Sequence, residues 1–232
     1  INTGAPFVGV MRAPGTATVI SPLTTLVAAL LPANVAPTQT QITTAVAQVQ
    51  AYLGLGTADI LNADLGASNL SNALMPALKA NIQVANLIAA VGGGSNGEAI
   101  AARFAQMINS NTPVDLTNQA QVQGLITNST IANNVNASAI SQIVAAQNQA
   151  IANAGSASAV ATAQQSQTDT YSIAQFKALI TKPAVNTYVI ADTTTNIQTA
   201  ATNDDRSILL SANKVVASDS SLTLSILNIS NL

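Results

Sequence analysis

The sequence predicts a mainly α protein: a multi-helix bundle followed by a small C-terminal α/β, repeat-like appendage. Three observations carry that prediction. Between positions 19 and 170, apolar residues recur at intervals of three and four, bounded by helix start and stop signals. Near Tyr171 the texture changes to short runs in which apolar and polar residues alternate. With 48% apolar residues, only 3% aromatic and no Trp, the core must be built mostly from Ala, Val, Leu and Ile, and 232 residues suffice to bury one. The chain divides accordingly into an extended linker over 1–18, a helical domain over 19–170 and a small strand/helix unit over 171–232.

Gly4, Pro6, Gly9, Pro14 and Gly15 make the first fifteen residues an irregular, extended lead-in. Ser21-Pro22 then fits an N-cap followed by Pro at the first helical position, where its missing N–H costs nothing. That helix sets Leu23, Leu26, Val27, Leu30 and Leu31 on one face until Pro32 closes it. Thr38-Gln39-Thr40-Gln41 fits a capping box, and Ile42, Ala45, Val46, Val49 and Leu53 form the next apolar stripe before Gly54 and Gly56 stop it. GLGTADILNADLG is a turn-rich connection. A longer helix is expected from about 71 to 91, with Pro76 in its first turn or bending it. GGGSNGE ends it, and Ser95 with Glu98 reads as a capping box for a helix reaching about Asn109. Shorter helices follow over 117–127 and 137–153, then a break at GSAS (155–158) and a further stretch to about 167.

In the tail, SIAQFKALITKP predicts a short helix capped by Ser172 and ending before Pro183. NTYVIADTTTNIQTAA predicts strand, turn and short helix. Val215-Val216 and the alternation of Leu222, Leu224 and Ile226 with Thr223 and Ser225 predict strands.

Only 7% of residues are charged, against about 25% in ordinary soluble domains, and none lies between Asp115 and Asp169. The exposed surface is therefore built from Asn, Gln, Ser and Thr. Seven scattered Lys and Arg are too few to neutralise phosphates or to draw the chain to an acidic membrane. With neither Cys nor His, disulfides, the usual zinc sites, haem ligation and histidine-based triads are excluded together. The apolar run from Val19 to Leu31 is about 13 residues long and contains Ser21, Pro22, Thr24 and Thr25; a membrane-spanning helix needs about 20 predominantly apolar residues. The chain opens without Met or a basic leader, as a piece cut from a longer chain would. Four Asn-x-Ser/Thr triplets, at Asn69, Asn128, Asn136 and Asn228, are what chance gives in so Asn-, Ser- and Thr-rich a sequence.

Enzymatic chemistry would have to run on carboxylates or Lys alone. The acidic residues are Asp59, Asp64, Glu98, Asp115, Asp169, Asp192, Asp204, Asp205 and Asp219. Most fall at expected helix starts or turns, where a carboxylate caps backbone N–H groups, so no catalytic residue is assigned and no enzyme is expected. Calcium is the cation least disfavoured, because it takes oxygen ligands alone. Asp59, Asn62 and Asp64, and again Asn203, Asp204 and Asp205, place oxygens close together without the spacing of a calcium loop, so no metal ligand is assigned. The Gly-rich loop at 92–98 is followed by Glu98 where a phosphate cradle would want Lys, and reads as a helix-to-helix turn. Met75, Leu78, Phe104 and Met107 could line an apolar pocket between helices, although core packing explains them more simply; cofactor-binding residues stay unassigned.

TATVISPLTTLVAALL, with AVAQVQAYLGLGTADILNAD after it, resembles a helical module of very large bacterial secreted and cell-surface, adhesin-like proteins. The residues carrying the resemblance are Gly15, Val19, Ser21, Pro22, Leu23, Thr24, Thr25 and Leu26, then Leu53, Gly54, Leu55, Asp59 and Asp64. The lead-in TGAPFVGVMRAPG is similar to linkers that follow β-sandwich or repeat units in such proteins, and the similarity covers roughly residues 3 to 110. The tail resembles a second feature of bacterial extracellular proteins, a tandem repeat built around D-T-x-x-N-I. Val189, Asp192, Thr193, Asn196, Ile197, Val215, Val216, Asp219, Leu222, Thr223 and Leu224 match it, in about one copy.

These resemblances imply a module of a long chain exported to the bacterial surface or medium. The expected function is non-enzymatic: adhesion, surface assembly or spacing, with protein or surface-polymer partners or self-association. The alternative is a helical binding protein for an apolar small molecule such as a pigment or lipid. Neither nucleic acid nor a membrane span is expected.

Overall fold

The computed structural model describes residues 10–67, 69–91, 94–131, 137–167, 170–171, 173–178, 188–212, 214–217 and 223–224. The chain is mainly helical and falls into two compact units, Ile1–Ala163 and Gln164–Leu232.

The first unit is a helical bundle. Helix α1 (Pro22–Leu30) starts as its sequence demands: the Ser21 side chain accepts from Thr24 N–H, the Thr24 side chain accepts from Ser21 N–H, and Pro22 occupies the first turn. Leu23, Leu26 and Val27 are fully buried. Helix α2 (Gln39–Leu53) opens on the expected capping box of Thr38 and Gln41. It closes at Gly54, whose φ of 65° only a residue without a side chain adopts freely. There the Leu55 N–H reaches back to the Gln50 carbonyl at 2.8 Å and Leu55 is buried, the pattern of a Schellman stop with its hydrophobic contact. The LGL triplet is thus a helix terminator.

A single 3₁₀ turn (Asn72–Leu74) leads into α3 (Met75–Ala90), and Pro76 sits in the first turn, so α3 runs on unbroken. Helices α4 (Gly94–Asn109), α5 (Gln119–Thr127), α6 (Ala137–Asn153) and α7 (Ala157–Gln167) complete the series. Helix α1 packs against α2, α3 and α4, and α6 packs against α3 and α5. One cluster joins Leu78 and Ile82 of α3 to Ile151 of α6 and Val160 of α7.

The expected capping box of Ser95 and Glu98 is not formed. Helix α4 already begins at Gly94, which places Ser95 inside the first turn. Glu98 instead meets the Arg12 guanidinium in an exposed ion pair. Gly92 and Gly93 lie outside the described residues.

In the second unit, α8 (Ile173–Ala178) lies between strands β1 (Thr170–Tyr171) and β2 (Val189–Asp192). Helices α9 (Thr194–Ala201) and α10 (Arg206–Leu210) lie between β2 and β3 (Lys214–Ala217), and β4 (Thr223–Leu224) follows. β1 pairs with β2, and β2 with β3, in parallel; β4 returns antiparallel to β3. Parallel neighbours need a crossover, which the intervening helices supply. Ile173, Phe176, Tyr188, Ile190, Ile197, Leu209 and Val215 form the core of this unit.

No separate turn stands between β2 and α9, because Thr193 alone ends the strand and caps the helix. The TNDDRSILLSAN stretch, whose apolar run is too short to show a period, holds α10. Ser172, Pro183, Leu222, Ile226 and the lead-in over 1–9 are outside the described residues.

Candidate functional site

The residues that carry the two resemblances form two separate networks, one in each unit. In the first, the pair of threonines in PLTTL is buried, Thr24 fully and Thr25 nearly so. Two hydroxyls in the first turn of an apolar helix need partners; both reach the Ser21 carbonyl at 2.9 Å, and the lead-in adds others. Arg12 N–H donates to Thr25 Oγ1 at 3.0 Å, and Thr24 Oγ1 donates to the Arg12 carbonyl at 3.0 Å. Both backbone groups of one extended residue are thereby satisfied by consecutive side chains.

The Asp59 to Asp64 segment belongs to the same network. Asp59 Oδ1 accepts from the N–H groups of Leu61 and Asn62, and Asn62 Nδ2 donates to both oxygens of the same carboxylate. That fixes Asn62 with its Oδ1 turned outward, where it accepts from Thr18 N–H at 3.3 Å and Thr18 Oγ1 at 3.1 Å. Thr18 and Val19 also donate their N–H groups to the Leu61 carbonyl, at 3.1 and 3.2 Å. Asp64 Oδ1 accepts from Gly66 N–H. Beside this connection a shallow recess of about 440 Å³ is lined by Gly54, Leu55, Thr57, Asp59, Ser71 and Pro76 among others.

In the second unit Asp192 is buried, with 8% of its surface exposed. Its Oδ1 accepts from Thr193 N–H at 2.8 Å and Asn196 Nδ2 at 2.7 Å, and its Oδ2 accepts from Ile173 N–H, the first of α8, at 2.9 Å. Thr193 Oγ1 accepts from Asn196 N–H at 3.3 Å as the N-cap of α9, and Ile197 enters the core. Each lettered position of D-T-x-x-N-I therefore has a structural duty: latch, cap, latch partner and core residue.

Of the other acidic residues, Asp115 and Asp205 are similarly engaged. Asp115 accepts from Thr117 N–H and its hydroxyl just ahead of α5. Asp205 pairs with Lys177 at 2.9 Å, and Asn203 Oδ1 accepts from Asp205 N–H. Among the described residues no group of three or more acidic side chains gathers as a metal site would require. Asp169 and Asp219 lie outside the described residues.

Of the four candidate pocket residues, Phe104 is fully buried on α4 with Met107 nearly so, whereas Leu78 and Met75 belong to the cluster shared by α3, α6 and α7. None of them lines the recess.

Three polar side chains make interactions that no local sequence pattern marks. Asn148, fully buried on α6, donates to the carbonyls of Gln83 and Leu116 and accepts from Asn86 Nδ2 at 3.0 Å. Tyr52 donates to the Thr112 carbonyl at 2.7 Å. Burial pushes this phenol up to about 12, with Arg103 pulling the other way. Tyr188, stacked on Phe176 at 4.4 Å and donating to the Ile208 carbonyl, is also raised by burial. Asn148 sits among other polar residues of α6, so no break in the pattern marks it.

Compared with known proteins, the chain matches no family model, no curated protein and no solved structure. Among the described residues no helix is long and apolar enough to cross a membrane.

Proposed function

We propose that the chain is a non-enzymatic structural and interaction module of a large bacterial extracellular surface or matrix protein, serving adhesion, assembly or spacing. The observation that supports this reading most is the use made of the motif residues. Ser21, Thr24, Thr25, Gly54, Asp59, Asp192, Thr193 and Asn196 all spend their polar groups on caps, stops and latches. A module selected to hold its shape would use them in this way.

The second unit is, on the same reading, a small α/β repeat-like unit, in which the Asp192 latch ties β2 to the helix before it and the helix after it. Its partners are proteins, surface polymers or further copies of such modules. They are met by an amide- and hydroxyl-rich surface through hydrogen bonding and packing.

Labelling intact cells of the source organism with an antibody to residues 19–163 tests the location. Signal on unbroken cells, removed by external protease, is the expected result; signal only after lysis would sink the proposal.

A further inference from the structure

The attachments of the lead-in are spaced in a way that bundle packing alone does not require. Arg12 is fixed first, through both backbone groups to Thr24 and Thr25 and through its guanidinium to Glu98 on α4. A turn follows, closed by Ala17 N–H donating to the Pro14 carbonyl at 2.9 Å, with Pro14 buried and Gly15 and Thr16 exposed. The chain is then fixed again at Thr18 and Val19 to Leu61 and Asn62. Two clamps enclose a short turn that is held by its own hydrogen bond and by the buried Pro14 ring.

We propose that residues 12–19 form a tension-carrying strap with built-in slack. Tension entering ahead of Arg12 passes directly into α1 and α4 through the first clamp, because the bonds at Arg12 bypass the covalent chain between Arg12 and Thr25, which stand thirteen positions apart. Residues 13–17 stay unloaded until that clamp yields. They then draw out before any helix unfolds, to at most about 3.5 Å per residue, or on the order of 20 Å from Arg12 to Thr18, and the lengthening is that span less the one the folded turn already covers. The bundle stays folded, so the clamp re-forms on relaxation. This use of the strap rests on the reading of the chain as a spacing module under tension; the mechanical behaviour belongs to the fold and is measured independently of location.

The absence of cysteine makes the test clean, since Val10→Cys and Thr162→Cys give unique attachment points at exposed positions of the full chain. Pulled between those handles in an optical trap, the protein is expected to show a reversible lengthening of less than about 20 Å at a force below the first helical unfolding event. Thr25→Val, which keeps the shape and removes the acceptor for Arg12 N–H, lowers the force of that step. Thr16→Val in the slack turn leaves it unchanged. A trace whose first event is unfolding of the bundle, or an early step with the same force in Thr25→Val, overturns the strap. Absence of the protein from intact cell surfaces would overturn the functional reading and leave these traces as they are.

Discussion

The buried carboxylate of Asp192 shows how much can hang on one side chain. It accepts three hydrogen bonds from donors on two sides of the β2 strand end, joining α8 to α9. An amide in its place keeps one acceptor oxygen and points an N–H₂ group at a donor, so Asp192→Asn leaves at least one buried N–H unsatisfied. A loss of about 1–3 kcal/mol is expected. Hydrogen exchange provides the check: the Ile173 amide should lose protection first, and unchanged protection there would refute the latch. Tyr52 offers a pH signature at the same scale. Its folded-state value of about 12 lies above the ordinary 10 because burial disfavours the phenolate. The folded state therefore retains a proton that the unfolded chain gives up. The stability this contributes is complete below pH 10 and is lost as pH rises through about 12. Tyrosinate absorbance should show a late-ionising group in the folded protein, and Tyr52→Phe should remove that step.

Helix starts and stops were the most legible features at the scale of elements, because capping chemistry is local. Ser21-Pro22, Thr38 with Gln41, and Gly54 each act within four residues, and each element begins or ends where those residues stand. The failures share a cause. Ser95 and Glu98 have the spacing of a capping box, but Glu98 is drawn to Arg12, 86 residues away. The pairing of Thr24 and Thr25 with Arg12, and of Asn148 with Gln83 and Leu116, likewise depends on contacts that sequence spacing does not encode. The helix α10 is too short for periodicity to register. Close approach of α3 and α4 is another such contact. A Cβ on Gly97 would stand 2.8 Å from Cγ2 of Ile88, a methyl on the β-carbon of a fully buried side chain that cannot swing aside. Gly97→Ala should therefore destabilise the bundle by about 1–3 kcal/mol through overpacking, although Ala favours helix intrinsically. A denaturant midpoint that rises in Gly97→Ala would show that the helices separate at no cost.

For the whole molecule, the decisive quantity is how little charge the structure uses. Of sixteen formally charged residues, seven basic and nine acidic, the described residues show two ion pairs, Arg12 with Glu98 and Lys177 with Asp205. The side chains of the first pair are 63% and 41% exposed, a setting in which solvent and salt screen most of the attraction. The folded state is held instead by buried aliphatic side chains and by neutral hydrogen bonds such as those of Thr24, Thr25 and Asn148, none of which depends on ionic strength in the way an ion pair does. Raising sodium chloride from about 0.05 to about 1 M, where the screening length falls to roughly 3 Å, should therefore shift the unfolding free energy by less than about 1 kcal/mol. The same logic applies to any partner met by the uncharged stretch between Asp115 and Asp169: dissociation constants at the two salt concentrations should agree within about threefold, which corresponds to less than about 1 kcal/mol. Both are direct measurements, by denaturant titration and by calorimetry of binding. A partner lost at high salt would place recognition on the few charged side chains instead, with Arg103 and Lys79 on the helical bundle the first to substitute.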